Sequence, residues 1–169
     1  SSPHLVSFCE RIRVNGSQIA EAMLCDIFKK IDTKRNEPAQ QPIELTYFEF
    51  ATLAALTAFS EQKVDVVILE VGLGGRLDAV NVIDADIAVI TSIGLDHQDW
   101  LGDTKEKIAF EKAGIFRANT PAIIGDERPQ QTMLDYAQQI GAKLVCSGKD
   151  FTFNAATNLI SIQGEQFST

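Results

Sequence analysis

The sequence signal that most strongly predicts the fold is residues 64–71, Val-Asp-Val-Val-Ile-Leu-Glu-Val, a β-branched run of strand length with almost no polar alternation. Such runs are typical of parallel strands that are buried on both faces of a sheet. The same pattern returns in three shorter segments, which are residues 87–92, 122–124 and 144–146. Segments with helical spacing lie between them, at 104–116 and 129–140. This alternation predicts an α/β fold with a doubly wound, mostly parallel sheet.

The segments on either side of these strands predict further elements. Residues 5–14 alternate up to the Asn15-Gly16 turn, which indicates a strand, and Ser17 is then expected to cap a helix. Thr46 is expected to cap a second helix that runs to about Gln62, with Glu49 completing a capping box. The C-terminal tail, residues 151–162, predicts an antiparallel hairpin.

Composition bounds the class of protein. The chain has 169 residues, with 15 basic against 23 acidic side chains and a net charge of −8. An acidic surface argues against nucleic acid as a partner, because phosphates require a basic footprint. No apolar run reaches the roughly 18 residues of a membrane span. Three scattered cysteines lack metal-binding spacing and fit a reducing cytoplasm.

Polar residues follow two of the predicted strands, where an open parallel sheet binds its ligands. Glu70 and a glycine block at residues 72–79 end the first strand. A buried carboxylate is costly unless it is paired or binds a metal, so Glu70 is either a metal ligand or a salt-bridge partner of Arg76. The glycine spacing departs from G-x-G-x-x-G, which disfavours a dinucleotide site.

His97 also allows two interpretations, whereas the residues alone give Lys112 one. His97 follows the strand at 87–92, and a lone histidine is more often structural than a metal ligand. Together with Glu70, however, it would supply two of the three ligands of a site with oxygen and nitrogen donors. Lys112, on the following helix, is by itself a solvated surface residue. The residues therefore indicate a metal-assisted, phosphate-handling α/β domain without choosing its substrate.

Five sequence blocks carry a resemblance to a known family: residues 1–5 (SSPHL), 45–50 (LTYFEF), 69–79 (LEVGLGGRLDA), 91–97 (TSIGLDH) and 111–115 (EKAGI). They resemble the central ATPase domain of the folylpolyglutamate synthase family, within the Mur ligase superfamily. The similarity is closest to its bacterial bifunctional dihydrofolate synthase/folylpolyglutamate synthase branch.

The resemblance implies an ATP-dependent amide ligase. In that family ATP phosphorylates the carboxylate of dihydropteroate or of a folate such as tetrahydrofolate, and L-glutamate then attacks the acyl phosphate. The implied cofactors are ATP and Mg²⁺. The parent protein is expected to be a cytoplasmic monomer.

The resemblance also implies roles for individual positions. Ser2, Glu70 and His97 match magnesium ligands, and Lys112 matches a lysine that is carbamylated and holds a second Mg²⁺. Lys112, His97 and Glu70 are the expected catalytic residues. Positions expected to bind the pterin are Thr46, Tyr47, Phe48, Asp78 and Ala79, and those expected to bind the nucleotide are Arg76 and Asn81. Val80 departs from the family pattern, which usually has Thr there.

The resemblance sets expectations for the boundaries of the chain. Residues 1–169 match part of a central ATPase domain, and the family's phosphate-binding loop and C-terminal domain are expected to lie outside it. The 169-residue chain alone is therefore expected to be inactive. Two alternatives stay open, which are another Mur-type amino-acid ligase and a non-catalytic α/β scaffold derived from a ligase.

Overall fold

The computed structural model describes residues 3–37, 41–154, 156–157, 159–162 and, as backbone alone, 165–168. These residues form two compact units, Ser1–Gly72 and Leu73–Thr169. No helix within the described ranges has both the length and the apolar character that crossing a membrane requires.

The first unit is a pair of helices with a small hairpin. Its elements are a 3-10 turn (Phe8–Arg11), strands β1 (Arg13–Val14) and β2 (Ser17–Gln18), and helices α1 (Glu21–Arg35) and α2 (Tyr47–Gln62). Leu24, Ile27 and Ile31 line one face of α1 at helical spacing and are buried. Ala54 and Ala58 of α2 are fully buried in the same cluster, and their small side chains allow the two helices to approach closely.

Two predictions at the start of this unit are wrong. Most of the strand expected at 5–14 is replaced by the 3-10 turn, because the Glu10 carboxylate accepts hydrogen bonds from the backbone N–H groups of Leu5, Val6 and Ser7. These bonds lower the pKa of Glu10.

Ser17 does not cap a helix; it belongs to β2 and pairs with Val14. The cause is the turn before it, where Asn15 and Gly16 both have positive φ, at 51° and 79°. That combination is typical of a two-residue hairpin turn, and α1 consequently begins only at Glu21.

The strand predicted at 64–71 is also wrong. This stretch belongs to no sheet among the described residues. A strand exists only through hydrogen bonds to a neighbour, so an apolar run without a paired partner remains irregular. Its side chains are accordingly exposed, with Val66 at 76% and Ile68 at 88%.

The second unit contains the parallel sheet. Its elements are a 3-10 turn (Ala79–Val82), β3 (Ala88–Ile90), α3 (Gln98–Leu101), α4 (Lys105–Ala113), β4 (Pro121–Ile124), α5 (Gln131–Ile140) and β5 (Lys143–Cys146). The strand order is β3-β4-β5, with both pairs parallel. Ala88 lies opposite Ala122, which lies opposite Leu144. The predicted α/β fold is thereby confirmed.

Helices α4 and α5 cover a core that includes Ile90, Ile108, Ile124 and Met133, all nearly or fully buried. The rings of Phe110 and Tyr136 meet edge to face between these helices, with centroids 5.6 Å apart.

The tail adds a separate antiparallel sheet. The predicted hairpin is confirmed as β6 (Phe151–Asn154) and β7 (Leu159–Ile162), which pair with Phe153 opposite Ile160. A third strand, β8 (Glu165–Ser168), pairs with β7 and was not predicted. The polar composition of β8 explains why hydrophobic alternation did not reveal it.

Candidate active site

The glycine block of the second unit folds into a tight loop that Asp78 closes. One carboxylate oxygen of Asp78 accepts the N–H of Leu73 at 2.9 Å, and the other accepts the N–H of Val80 at 3.0 Å. Gly74 has φ of +70°, and a Cβ there would meet the Leu101 side chain at 2.8 Å. A left-handed backbone and a filled space both require glycine at this position. Asp78, predicted to contact a pterin, is thus also a structural cap of this loop.

The loop lies directly on the C-terminal end of α4. The Arg76 N–H donates to the carbonyl oxygen of Glu111 at 2.8 Å. A Cβ at Gly75 would be 2.8 Å from that same oxygen, and a Cβ at Gly114 would be 2.3 Å from the Arg76 Cβ. The loop and the helix therefore touch backbone to backbone.

Arg76 forms its ion pair with Glu111. Its Nη2 donates to Glu111 Oε1 at 2.8 Å, and its Nε donates to Oε2 at 3.2 Å. The hydrogen bonds and charge of Glu111 raise the pKa of Arg76. The sequence suggested Glu70 as a salt-bridge partner, but the arginine is engaged by a helix residue 35 positions further along the chain.

Lys112 lies in the last turn of α4, next to this contact. Its side chain is half-buried, so it is not the fully solvated residue that the simpler interpretation assumed. Across the described part of the chain, its ammonium has neither a hydrogen bond nor an ion pair.

His97 has an unusual backbone. It lies in the left-handed region, at φ 51° and ψ 40°, immediately before α3. The Asp96 carboxylate accepts the His97 backbone N–H at 2.8 Å, and the imidazole is 57% exposed. A non-glycine residue held at positive φ costs about 1 kcal/mol, and such residues concentrate at functional sites.

The first unit carries the predicted pterin residues on α2. Thr46 and Glu49 form the predicted capping box, in which Thr46 Oγ1 accepts the Glu49 N–H at 3.2 Å. Phe48 lies against Gly72, where a Cβ would come within 2.7 Å of its ring.

Tyr47 is largely exposed and borders a pocket of about 320 Å³. The residues that line it are Phe8, Phe28, Arg35, Leu45, Thr46, Tyr47 and Phe50. The sequence analysis missed the three phenylalanines: Phe28 and Phe50 have the helical spacing of core positions on α1 and α2, and Phe8 lies in the 3-10 turn, where a strand was expected. The Arg11 guanidinium lies 5.2 Å from the Tyr47 ring centroid, so one wall of the pocket region is aromatic and cationic.

The predicted metal ligands are divided between the two units. Within the ranges that the structure describes, no group of three or more His, Cys, Asp or Glu residues could hold a metal ion. Glu70 belongs to the first unit, and His97 and Lys112 belong to the second. Ser2 lies outside the described residues.

The second unit is an α/β domain in which a glycine loop packs on the helix that carries Lys112. In such domains ligands bind beyond the carboxyl ends of the parallel strands. The chain belongs to the Mur ligase family, since the family model of the Mur ligase middle domain matches residues 17–168.

Two curated relatives within this family are similar to the chain over most of its length. The dihydrofolate synthase/folylpolyglutamate synthase of Escherichia coli (strain K12) is 51% identical over 154 residues, which are 91% of this chain and 35% of that protein. The mitochondrial folylpolyglutamate synthase of Homo sapiens is 40% identical over 152 residues, covering 85% of this chain and 25% of that protein. The chain thus spans about a third or less of these relatives.

Solved structures agree with the fold. E. coli FolC in complex with DHPP and ADP superposes with a TM-score of 0.91 at 47% identity, over 99% of this chain and 40% of that chain. The bifunctional enzyme of Yersinia pestis complexed with AMPPNP and a Mn ion gives a TM-score of 0.89 at 46% identity, with the same coverage. The family resemblance carried by the sequence blocks is confirmed.

Proposed function

We propose that the natural protein containing this sequence is an ATP-dependent carboxylate–amine ligase that adds L-glutamate to dihydropteroate, to the glutamyl tail of folates such as tetrahydrofolate, or to both. The observation that carries this proposal is the 51% identity over 154 residues to a dihydrofolate synthase/folylpolyglutamate synthase. Related structures hold ADP, AMPPNP, Mn and L-glutamate, which supports the same substrates and a divalent metal here.

The reaction has two displacement steps. The acceptor carboxylate attacks the γ-phosphorus of ATP, which forms an acyl phosphate and releases ADP. The amine of glutamate then attacks the acyl carbon, which forms the amide and releases phosphate. Such chemistry depends on positioning and on charge neutralisation, so the residues that fix the site decide the rate.

Lys112 is the residue whose environment best supports a chemical role. Its neutral amine would attack the carbon of CO₂ and lose a proton, which replaces a cation by a carbamate anion. Among the described residues the Lys112 ammonium group has no hydrogen bond and no ion pair, so no contact would have to be broken for this step. A carbamate would add oxygen ligands where the described side chains alone form no metal cluster.

Oxygen donors suit Mg²⁺. We assign Ser2, Glu70 and the His97 imidazole as ligands of one Mg²⁺, and the carbamate of Lys112 as a ligand of a second. Bound Mg²⁺ would neutralise phosphate charge. Glu70 would bind it through its carboxylate, His97 through its imidazole, Lys112 through the carbamate and Ser2 through its hydroxyl group.

We assign Thr46, Tyr47, Phe48, Asp78 and Ala79 to pterin binding, and the pocket lined by Thr46 and Tyr47 in the first unit supports the assignment of those two residues. Flat heterocycles bind well against aromatic walls, and three phenylalanines line this pocket. We further propose a cytoplasmic monomer; the three free cysteines are consistent with a reducing compartment.

The decisive experiment measures glutamate-dependent ADP release by the natural full-length protein, with dihydropteroate, tetrahydrofolate and a muramyl peptide as acceptors. Turnover with the first two is expected. Turnover only with the muramyl peptide would identify a different Mur-type ligase, and no turnover with any acceptor would favour the scaffold.

The Lys112→Ala variant tests the carbamate role in the same assay. We expect a loss of about 100-fold in kcat. The control is Lys105→Ala, which removes an exposed lysine from the same helix. Wild-type activity in Lys112→Ala would refute the role of this residue.

A further inference from the structure

Arg117, just after α4, has a guanidinium whose donors are all used inside the second unit. Its Nε donates to the Asp84 carboxylate, and its Nη2 donates to the carbonyl oxygen and the Oδ1 of Asn81, at 2.9 and 3.0 Å. Its Nη1 donates to the carbonyl oxygens of Gly114 and Phe116 at 3.3 and 3.2 Å. The guanidinium thus joins residues 81–84 to residues 114–117.

Asn81 completes the same network from the other side. Its Nδ2 donates to the carbonyl oxygens of Arg76 and Gly114, both at 3.1 Å, while its Oδ1 accepts from Arg117. Both amide N–H groups and the amide oxygen are therefore bonded to protein. An asparagine with this set of bonds has no donor left for a nucleotide.

The network holds the backbone at the end of α4, next to Lys112. Gly114 accepts hydrogen bonds from both Asn81 and Arg117, and it lies two residues beyond Lys112. A Cβ at Gly75 would be 2.9 Å from the carbonyl oxygen of Lys112, so the glycine loop also lies against the backbone of Lys112. The glycine loop and the residues that Asn81 and Arg117 hold therefore both contact the end of α4 beside Lys112.

We propose that Asn81 and Arg117 are positioning residues, which lock the glycine loop onto the end of α4 and so fix the direction in which Lys112 enters the active site. This inference rests on the proposed role of Lys112 in ligation. It assigns Asn81 a structural partner in place of the nucleotide contact that the family resemblance implied. A side chain that must form a carbamate and then orient it loses efficiency when its backbone shifts by even about 1 Å.

The test uses Asn81→Ala and Arg117→Lys in the natural full-length protein. Arg117→Lys keeps the charge but loses the planar fork of donors. The matched control is Arg128→Lys, because Arg128 is exposed in the same unit. Thermal unfolding of each variant defines a temperature at which all of them are folded.

Steady-state kinetics, bicarbonate dependence and amide exchange at that temperature distinguish a positioning role from a role in stability alone. We expect kcat to fall about tenfold in both variants, with the KM for ATP changed less than about threefold. The bicarbonate concentration for half-maximal activity should rise, and backbone amide exchange at Gly114 and Ile115 should accelerate. The double variant should lose no more activity than the worse single variant, because the two residues act as one unit.

The proposal is overturned if the folded variants keep wild-type kcat and wild-type bicarbonate dependence, even with a lowered Tm. A large increase in the KM for ATP in Asn81→Ala with unchanged amide exchange would also overturn it, in favour of direct nucleotide binding. Lys112→Ala distinguishes a failure of the underlying function, because full activity in that variant refutes the ligation role of Lys112 whatever the effect of Asn81→Ala and Arg117→Lys.

Discussion

The Arg76 guanidinium and the Glu111 carboxylate meet through three hydrogen bonds, the shortest of which is 2.8 Å, and their backbones are joined by a fourth. This pair joins a loop that follows the apolar run at 64–71 to the helix that carries Lys112. A single arginine–glutamate pair therefore connects two segments that the sequence analysis treated separately.

Arg76 and Glu111 should be energetically coupled. The forked contact and the partial burial of Glu111, 22% exposed, favour a larger coupling than that of an exposed ion pair in a double-mutant cycle of Arg76→Gln and Glu111→Gln. Thermal or urea unfolding at low and high salt measures it. The exposed pair Lys29–Asp26 is the control, with an expected coupling near zero. Equal coupling in both pairs would contradict the prediction.

Gly114→Ala should destabilise the second unit by about 1–3 kcal/mol, because the new methyl group would overlap the backbone and Cβ of Arg76. Gly114 has φ of −60°, so backbone strain does not contribute. Gly94→Ala is the control, since a Cβ there meets nothing within 4 Å. Urea unfolding of both variants checks the difference, and an unaffected Gly114→Ala would show that the loop does not touch the helix.

Acid should weaken the N-terminus of α2 through Glu49. Hydrogen bonds from the N–H and the hydroxyl of Thr46 lower the pKa of Glu49 below its ordinary value of 4.5. A carboxylate whose pKa is lower in the folded state stabilises the fold fully above the unfolded pKa, and this contribution is lost as the pH falls through the folded pKa.

The Tm of Glu49→Gln should therefore fall below that of the wild type at neutral pH, and the difference should shrink below about pH 4. The control is Glu44→Gln, since Glu44 is exposed and has no hydrogen bond within the described residues. A pH-independent difference for Glu49→Gln would rule out the capping carboxylate as its cause. Thr46→Ala should cost about 1 kcal/mol at neutral pH.

His97→Gly should separate stability from activity. Glycine adopts positive φ without strain, so the variant should be as stable as the wild type or more stable by up to about 1 kcal/mol. If His97 binds metal in the ligase, the same variant should lose about 100-fold in kcat. Unfolding and turnover assays on the full-length protein measure both effects.

Lys63→Gly is the matched control for His97. Lys63 also has positive φ, at 50°, as the C-cap of α2. This variant should gain stability and keep its activity. Retained activity in His97→Gly would refute the metal-ligand role and leave the strain at His97 without a functional reason.

The elements that carry the candidate site could be predicted from the sequence where the signal lies within a few neighbouring residues. The Thr46–Glu49 capping box joins residues three positions apart, and the parallel strands β3, β4 and β5 were predicted from continuous apolar runs. The sequence predicts the Asn15-Gly16 turn but not its effect on Ser17. Because both turn residues have positive φ, the chain reverses into a hairpin, and Ser17 pairs with Val14 instead of capping a helix.

The sequence by itself determined the α/β class and the family and supplied the candidate site residues, since these depend on periodicity and on short motifs. Only the tertiary structure decided which partners those residues have. Arg76 pairs with Glu111 across 35 positions, and Arg117 binds Asn81 across 36. The apolar run at 64–71 has the composition of a strand, yet pairing requires a neighbour that composition does not specify. Contacts between residues so far apart are set by how the whole chain folds, so no local pattern encodes them.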